Sequence, residues 1–321
     1  MSGLAAEIVF DHVTKRYPGA AAPAVDDLSL VVPAGEICVL VGPSGGGKTT
    51  AMKMVNRLID ITEGDIRIGG RSVRGLETTE LRRGIGYVIQ QTGLFPHMTV
   101  AENVATVPRL LGWDKRRTDA RVDELLDLVD LPARDYRARY ATQLSGGERQ
   151  RVGLARALAA DPPAMLMDEP FGALDPITRT RLQHEFLRIH RAVGKTVIFV
   201  THDIDEAILM GDRIAILRPG GRLAQYDTPE AILASPADDF VASFVGGDRG
   251  LKRLSLVRLD EVELEPLDGR VPGPALPGGT SLRDALSTML TEGTSHVVVL
   301  DEAGEPVGRL GLDTLSARLA R

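Results

Sequence analysis

Gly42-Pro43-Ser44-Gly45-Gly46-Gly47-Lys48-Thr49 has the form G-x-x-x-x-G-K-T, and that run constrains the local fold as tightly as it constrains the ligand. Bare backbone N–H groups at a helix start, with one lysine, make a cradle for a polyphosphate, provided a buried strand delivers the chain to them. The flanks meet that condition. Ile37 to Val41 is short and wholly apolar, as a parallel strand covered on both faces must be. Residues 50–59 carry apolar side chains at helical spacing. Strand, glycine loop and helix follow in the required order, and the chain reads as an α/β protein.

With 321 residues there is room for one large domain or two ordinary ones. A hydrophobic share of 43% and a charged share of 26% fit a soluble globular protein. The net charge of −6 gives no case for a nucleic-acid partner. Cys38 is alone, so no internal disulfide forms and a Cys-based metal site is not expected. The first ten residues lack the basic-then-apolar order of a signal peptide. No apolar run reaches the length of a membrane-spanning helix. The expectation is a cytosolic protein that reaches a membrane only through a partner.

Residues 7–37 and 64–74 alternate short apolar runs with turn residues and read as antiparallel strands. Residues 101–160 are mostly helical in pattern; Val122, Leu125, Leu126, Leu128 and Val129 share one face, and Pro132 marks its end. Residues 164–167 and 196–201 are two more short apolar runs, each followed by a polar cluster, Asp168-Glu169 and His202-Asp203. Parallel strands present ligand groups at their carboxyl ends, so both clusters belong beside the glycine loop. Composition shifts after Gly246: residues 266–280 are rich in Pro and Gly and read as a linker or exposed loop. A helix over 281–290 and strands over 296–300 and 307–312 then suggest a separate small module.

Each residue type suits a task. Lys48 is a compact charge for the outer phosphates, and Thr49 offers a hydroxyl to Mg²⁺. Asp168, at a strand end, can hold that metal; Glu169 points elsewhere and can orient and deprotonate water. Two acids at a strand end can also be merely solvated. Ser145 and Glu148 form an S-x-x-E capping box, which any helix might carry. The glycines between them, Gly146 and Gly147, also let a phosphate approach the helix start. His202 is either a phosphate contact or a helix-start residue. Gln90 and Gln91 follow a strand-like run, and Tyr17 stands in a turn where it could stack on a base.

Together these residues resemble the ATP-binding cassette family of transport ATPases, over about residues 7–245. Gly42 to Thr49, with Thr50 beside it, looks like the Walker A loop. Gln90, four residues before Leu94-Phe95-Pro96, looks like the Q-loop glutamine, which the resemblance implies as a metal contact. Residues 144–150 resemble the signature motif, 165–169 the Walker B strand, 172–175 the D-loop ending in Asp175, and His202 the switch histidine. Tyr17 fits the adenine-stacking aromatic. The resemblance implies a P-loop NTPase core with an antiparallel β subdomain and a helical subdomain. It implies ATP and Mg²⁺ as ligands, with Glu169, His202 and Gln90 as catalytic residues. It also implies a head-to-tail homodimer in which each ATP lies between one Walker A and the partner's Ser145-Gly146-Gly147. The dimer would drive a separate membrane permease docked near residues 90–113, from the cytoplasmic face.

A narrower resemblance, carried by residues 52–59, 85–91 and 244–246, is to the ATPases of glycine betaine, carnitine and choline uptake systems. There the solute binds a separate extracytoplasmic protein. An importer of another small solute, such as an amino acid, and a non-transport ABC ATPase are the competing readings. The domains are expected at 1–245 and 246–321, and residues 281–315 resemble one CBS unit. Gly308 is followed by Gly311 and Thr314 where nucleotide-binding units carry Ser or Thr and Asp, and Asp313 is one place early. Pairing of tails, rather than nucleotide sensing, is the expected role.

Overall fold

The computed structural model describes residues 4–90, 93–267 and 273–319. In chain order its strands are β1 (Ile8–Lys15), β2 (Val25–Val32), β3 (Ile37–Val41), β4 (Glu63–Ile68), β5 (Arg71–Ser72), β6 (Ile85–Val88), β7 (Ala164–Asp168), β8 (Thr196–Val200), β9 (Arg213–Arg218), β10 (Arg222–Asp227), β11 (Ala275–Pro277), β12 (His296–Leu300) and β13 (Pro306–Gly311). They form three sheets, and the chain divides between Asp227 and Thr228 into two compact units.

The first unit holds an antiparallel sheet in the order β2-β1-β4-β5 and a six-stranded sheet in the order β10-β9-β3-β8-β7-β6. β3, β6, β7, β8 and β9 run parallel, with β10 antiparallel at the edge. Every residue of β3 and β8 is buried, which explains why both read as unbroken apolar runs rather than alternating ones. β8 lies between β3 and β7, with Leu40 and Asp168 both opposite Val200. Three carboxyl ends are thereby levelled side by side, and the segments leaving them carry the glycine loop, Asp168-Glu169 and His202.

Phe199, fully buried in β8, meets Phe171 with ring centroids 6.0 Å apart. Phe199→Ala is expected to cost about 3–5 kcal/mol, because the levelled strands cannot collapse onto the void. The shift in urea midpoint of the full chain measures it.

Between β6 and β7 the chain is helical, as its pattern foretold. The Lys115–Leu128 helix buries Val122, Leu125 and Leu126, and Val129 is buried just beyond it. The helix after the glycine loop differs from the expected 50–59. It spans Lys48–Val55, because Gly47 already serves as its N-cap, Asn56 caps its end and Arg57 turns to φ 51°.

The second unit begins at Thr228, ahead of the 245/246 boundary read from composition. The reason is the strongly amphipathic Arg249–Leu256 helix, which packs on both the Pro229–Ala234 and Leu282–Glu292 helices. Its Leu254 joins Leu282, Met289, Val297, Val299 and Leu310 in one core. The tail sheet has the order β11-β12-β13. Residues 268–272 of the expected linker lie outside the described residues, but 275–277 are not loop. They form β11, parallel to β12, because Leu276 packs on the tail core.

Candidate functional site

The glycine loop is shaped by its backbone. Gly47 has φ 74° and caps the Lys48–Val55 helix with no side-chain hydrogen bond, so the first-turn N–H groups stay free for an anion. A Cβ at Gly47 would stand 2.3 Å from the Ala24 carbonyl oxygen, so only glycine fits there. Gly46 N–H donates to the Pro43 carbonyl at 3.1 Å and tightens the turn. Ser44 and Gly45 form its exposed rim, and Thr50 continues the helix. Lys48 is buried and donates to the carbonyls of Gly42 (2.7 Å) and Pro43 (2.9 Å). Burial lowers its pKa, and the charges of Glu169 and Asp168 work against that.

Asp168 and Glu169 diverge as a strand end predicts. Asp168 Oδ1 accepts from Thr49 Oγ1 at 3.1 Å, and its Oδ2 stands 3.9 Å from Lys53 Nζ. Burial raises its pKa, while the Thr49 bond and Lys53 pull it back down. Glu169 leaves the sheet at φ 43°, an unusual conformation for a residue other than glycine, held by its N–H bond to the Val200 carbonyl. The turn swings its carboxylate away from Asp168. Gln90 Nε2 donates to Glu169 Oε2 at 3.3 Å, and His202 Nδ1 lies 3.2 Å from Glu169 Oε1. Gln91 lies outside the described residues.

The remaining sequence-derived residues sit on other elements. Ser145 caps the Gly146–Leu158 helix through the complete box: Glu148 N–H donates to Ser145 Oγ, and Ser145 N–H to Glu148 Oε2. Tyr136 hydroxyl donates to Glu148 at 2.7 Å, and Arg149 to the Leu144 carbonyl at 2.6 Å, so this helix start is braced from both sides. Asp175 caps the Pro176–Val193 helix by accepting from Thr178 N–H. Tyr17 is exposed, with Lys15 Nζ 5.0 Å from its ring centroid. Among the described residues, Ser145, Gly146, Gly147 and Asp175 share no hydrogen bond or ion pair with Lys48, Thr49 or Asp168.

Sequence reading missed Lys53 as a neighbour of Asp168. Its position, four residues after Thr49, was signal enough, since that spacing shares a helix face.

The family model described as ABC transporter matches residues 25–172. The osmoprotectant import ATP-binding protein OsmV of Salmonella typhimurium is 50% identical over 94% of this chain and 78% of its own length. The chain belongs to the ABC transporter family. The glycine betaine uptake system ATP-binding protein YehX of Escherichia coli is 47% identical to this ABC protein over 96% of this chain and 98% of the relative. A solved dimeric, post-hydrolysis ATP-binding cassette, MJ0796 with ADP and Pi, shares 34% identity and a TM-score of 0.60 with it, covering 69% of this chain and 98% of that one. The ABC chain is thus an ATP hydrolase, and the family match includes the glycine loop.

Proposed function

We propose that this chain is the ATP-hydrolysing subunit of an importer for quaternary-amine osmoprotectants of the glycine betaine, carnitine and choline type. One observation carries the chemistry: Glu169 is held between Gln90 and His202 on a strand tip beside Lys48 and the Thr49–Asp168 pair. Lys48 exchanges its two carbonyl partners for phosphate oxygens. Glu169 orients the attacking water and takes its proton, and His202 contacts the terminal phosphate.

Thr49 Oγ1 and Asp168 are hard oxygen donors and fit Mg²⁺, and Gln90, bonded to the adjacent Glu169, is the further ligand proposed. No group of three His, Cys, Asp or Glu side chains forms a metal cage among the described residues, so the ion would be shared with phosphate oxygens and water. Bound there, it would neutralise charge on the outer phosphates. Ser145-Gly146-Gly147 and Asp175, distant in bonding from Lys48, would complete the site of a second copy in a head-to-tail dimer.

No helix among the described residues is long and apolar enough to cross a membrane. The chain would act at the cytoplasmic face through a separate permease, with an extracytoplasmic receptor delivering the solute. Near-full-length likeness to ATPases named for osmoprotectant and betaine uptake favours this solute class over amino acids and over a non-transport role. The CBS-like tail would pair with the tail of the second copy. Vesicles holding this chain with its permease and receptor are expected to take up betaine, carnitine or choline on ATP addition. Uptake of amino acids alone would overturn the solute assignment.

A further inference from the structure

Beside Glu169 lies a cavity of about 50 Å³, lined by Glu169, Gly172, Arg179, Thr201, His202 and Glu206 among others. It is polar and large enough for ordered water. Glu206 lines it from the first turn of the Ile204–Met210 helix that follows His202. It is 9% exposed, and its Oε1 accepts from Gln183 Nε2 at 2.9 Å. Gln183 and Thr201 are also buried, at 5% and 2%, and Thr201 Oγ1 accepts from Asp203 N–H at 3.1 Å beside the same carboxylate's helix start.

Gln183 belongs to the Pro176–Val193 helix, which begins at Asp175. Four residues earlier, Arg179 shares its face. Arg179 Nη2 donates to the Leu174 carbonyl at 3.2 Å, while its buried Nε has no partner. One helix face therefore presents Gln183 to Glu206 and Arg179 to the cavity and to the 172–175 loop. The charged groups around Glu206 are Asp203 on its own helix, Arg179 on the facing helix, and Glu169 and His202 across the cavity. An aliphatic pair would join the two helices more cheaply than a buried carboxylate. A hydrogen-bonded pair instead fixes one register.

We propose that Glu206 is a positioning residue for ATP hydrolysis: its carboxylate ties the His202 segment to the Asp175 helix, so that the histidine and the 172–175 loop keep one spacing around Glu169. This rests on the proposed roles of Glu169 and His202. It does not require Glu206 to touch nucleotide.

Steady-state hydrolysis by the full chain tests it, with nucleotide affinity measured alongside. Glu206→Ala is expected to lower kcat about ten- to a hundredfold, up to the scale of a 1 Å misplacement, while KM and affinity hold. Glu206→Gln, whose amide oxygen can still accept from Gln183, is expected to keep most of kcat. Gln183→Leu breaks the same bond from the other helix and is expected to match Glu206→Ala. Combined with Glu206→Ala it should add nothing further. Wild-type kcat in a folded Glu206→Ala protein, or additive losses in the double variant, would overturn the proposal. If Glu206→Ala does not fold, wild-type kcat in Gln183→Leu overturns it. Absence of hydrolysis by the wild-type chain would instead sink the catalytic reading on which it rests.

Discussion

Glu169→Gln is expected to bind ATP and close with a second copy, yet hydrolyse about 10²–10⁴-fold more slowly than wild type, the loss of a positioned general base. The geometry isolates the effect. Glutamine keeps the length and one acceptor oxygen of Glu169, so the bond from Gln90 and the backbone bond to Val200 can survive. What disappears is the second acidic oxygen, now 3.2 Å from His202 Nδ1. Asp168 faces the other way and keeps its Thr49 and Lys53 partners. Binding and catalysis should therefore separate: an ATP-held dimer accumulates on a sizing column while phosphate release nearly stops. Turnover at the wild-type rate would show that another group takes the proton.

The divergence that makes this substitution clean was only half legible in the sequence. Neighbouring strand residues point to opposite faces, so Asp168 and Glu169 had to part. Sequence alone does not show that Glu169 has left the strand, because its φ of 43° is set by the bond to Val200 on β8. The buried runs of β3 and β8 were readable because burial on both faces leaves no polar residue to confuse the period. β11 was not, since a three-residue strand among prolines and glycines owes its place to Leu276 and to pairing with β12. The division at Thr228 was hidden for the same reason. Composition marks linkers, whereas the Arg249–Leu256 helix is assigned to the tail by the core it joins. Glu206 reads in the sequence as one more acid in a helix's first turn, and its buried amide partner lies 23 residues away in another helix.

Lys48→Ala is expected to weaken MgATP binding by about ten- to a hundredfold, because a charge-assisted hydrogen bond contributes about 1.5–3 kcal/mol and each 1.4 kcal/mol is tenfold. The stability of the folded protein itself should change little. Among the described residues, Lys48 is a desolvated ammonium whose hydrogen-bond partners are the Gly42 and Pro43 carbonyls. Burial depresses its pKa below the unfolded value, so below that folded pKa the charged form is held at a cost. The cost disappears only as pH rises past the unfolded pKa, well above neutrality. At pH 7 the alanine variant is relieved of it but also loses the two bonds to the Gly42 and Pro43 carbonyls, so its melting temperature without nucleotide should stay close to that of wild type. Addition of millimolar MgATP should then raise the wild-type melting temperature more than that of the variant, since stabilisation follows occupancy. The backbone amides of residues 45–47 remain in the variant, so residual binding is expected rather than none. Calorimetric titration reads the difference directly, and equal affinities in the two proteins would remove Lys48 from the phosphate cradle.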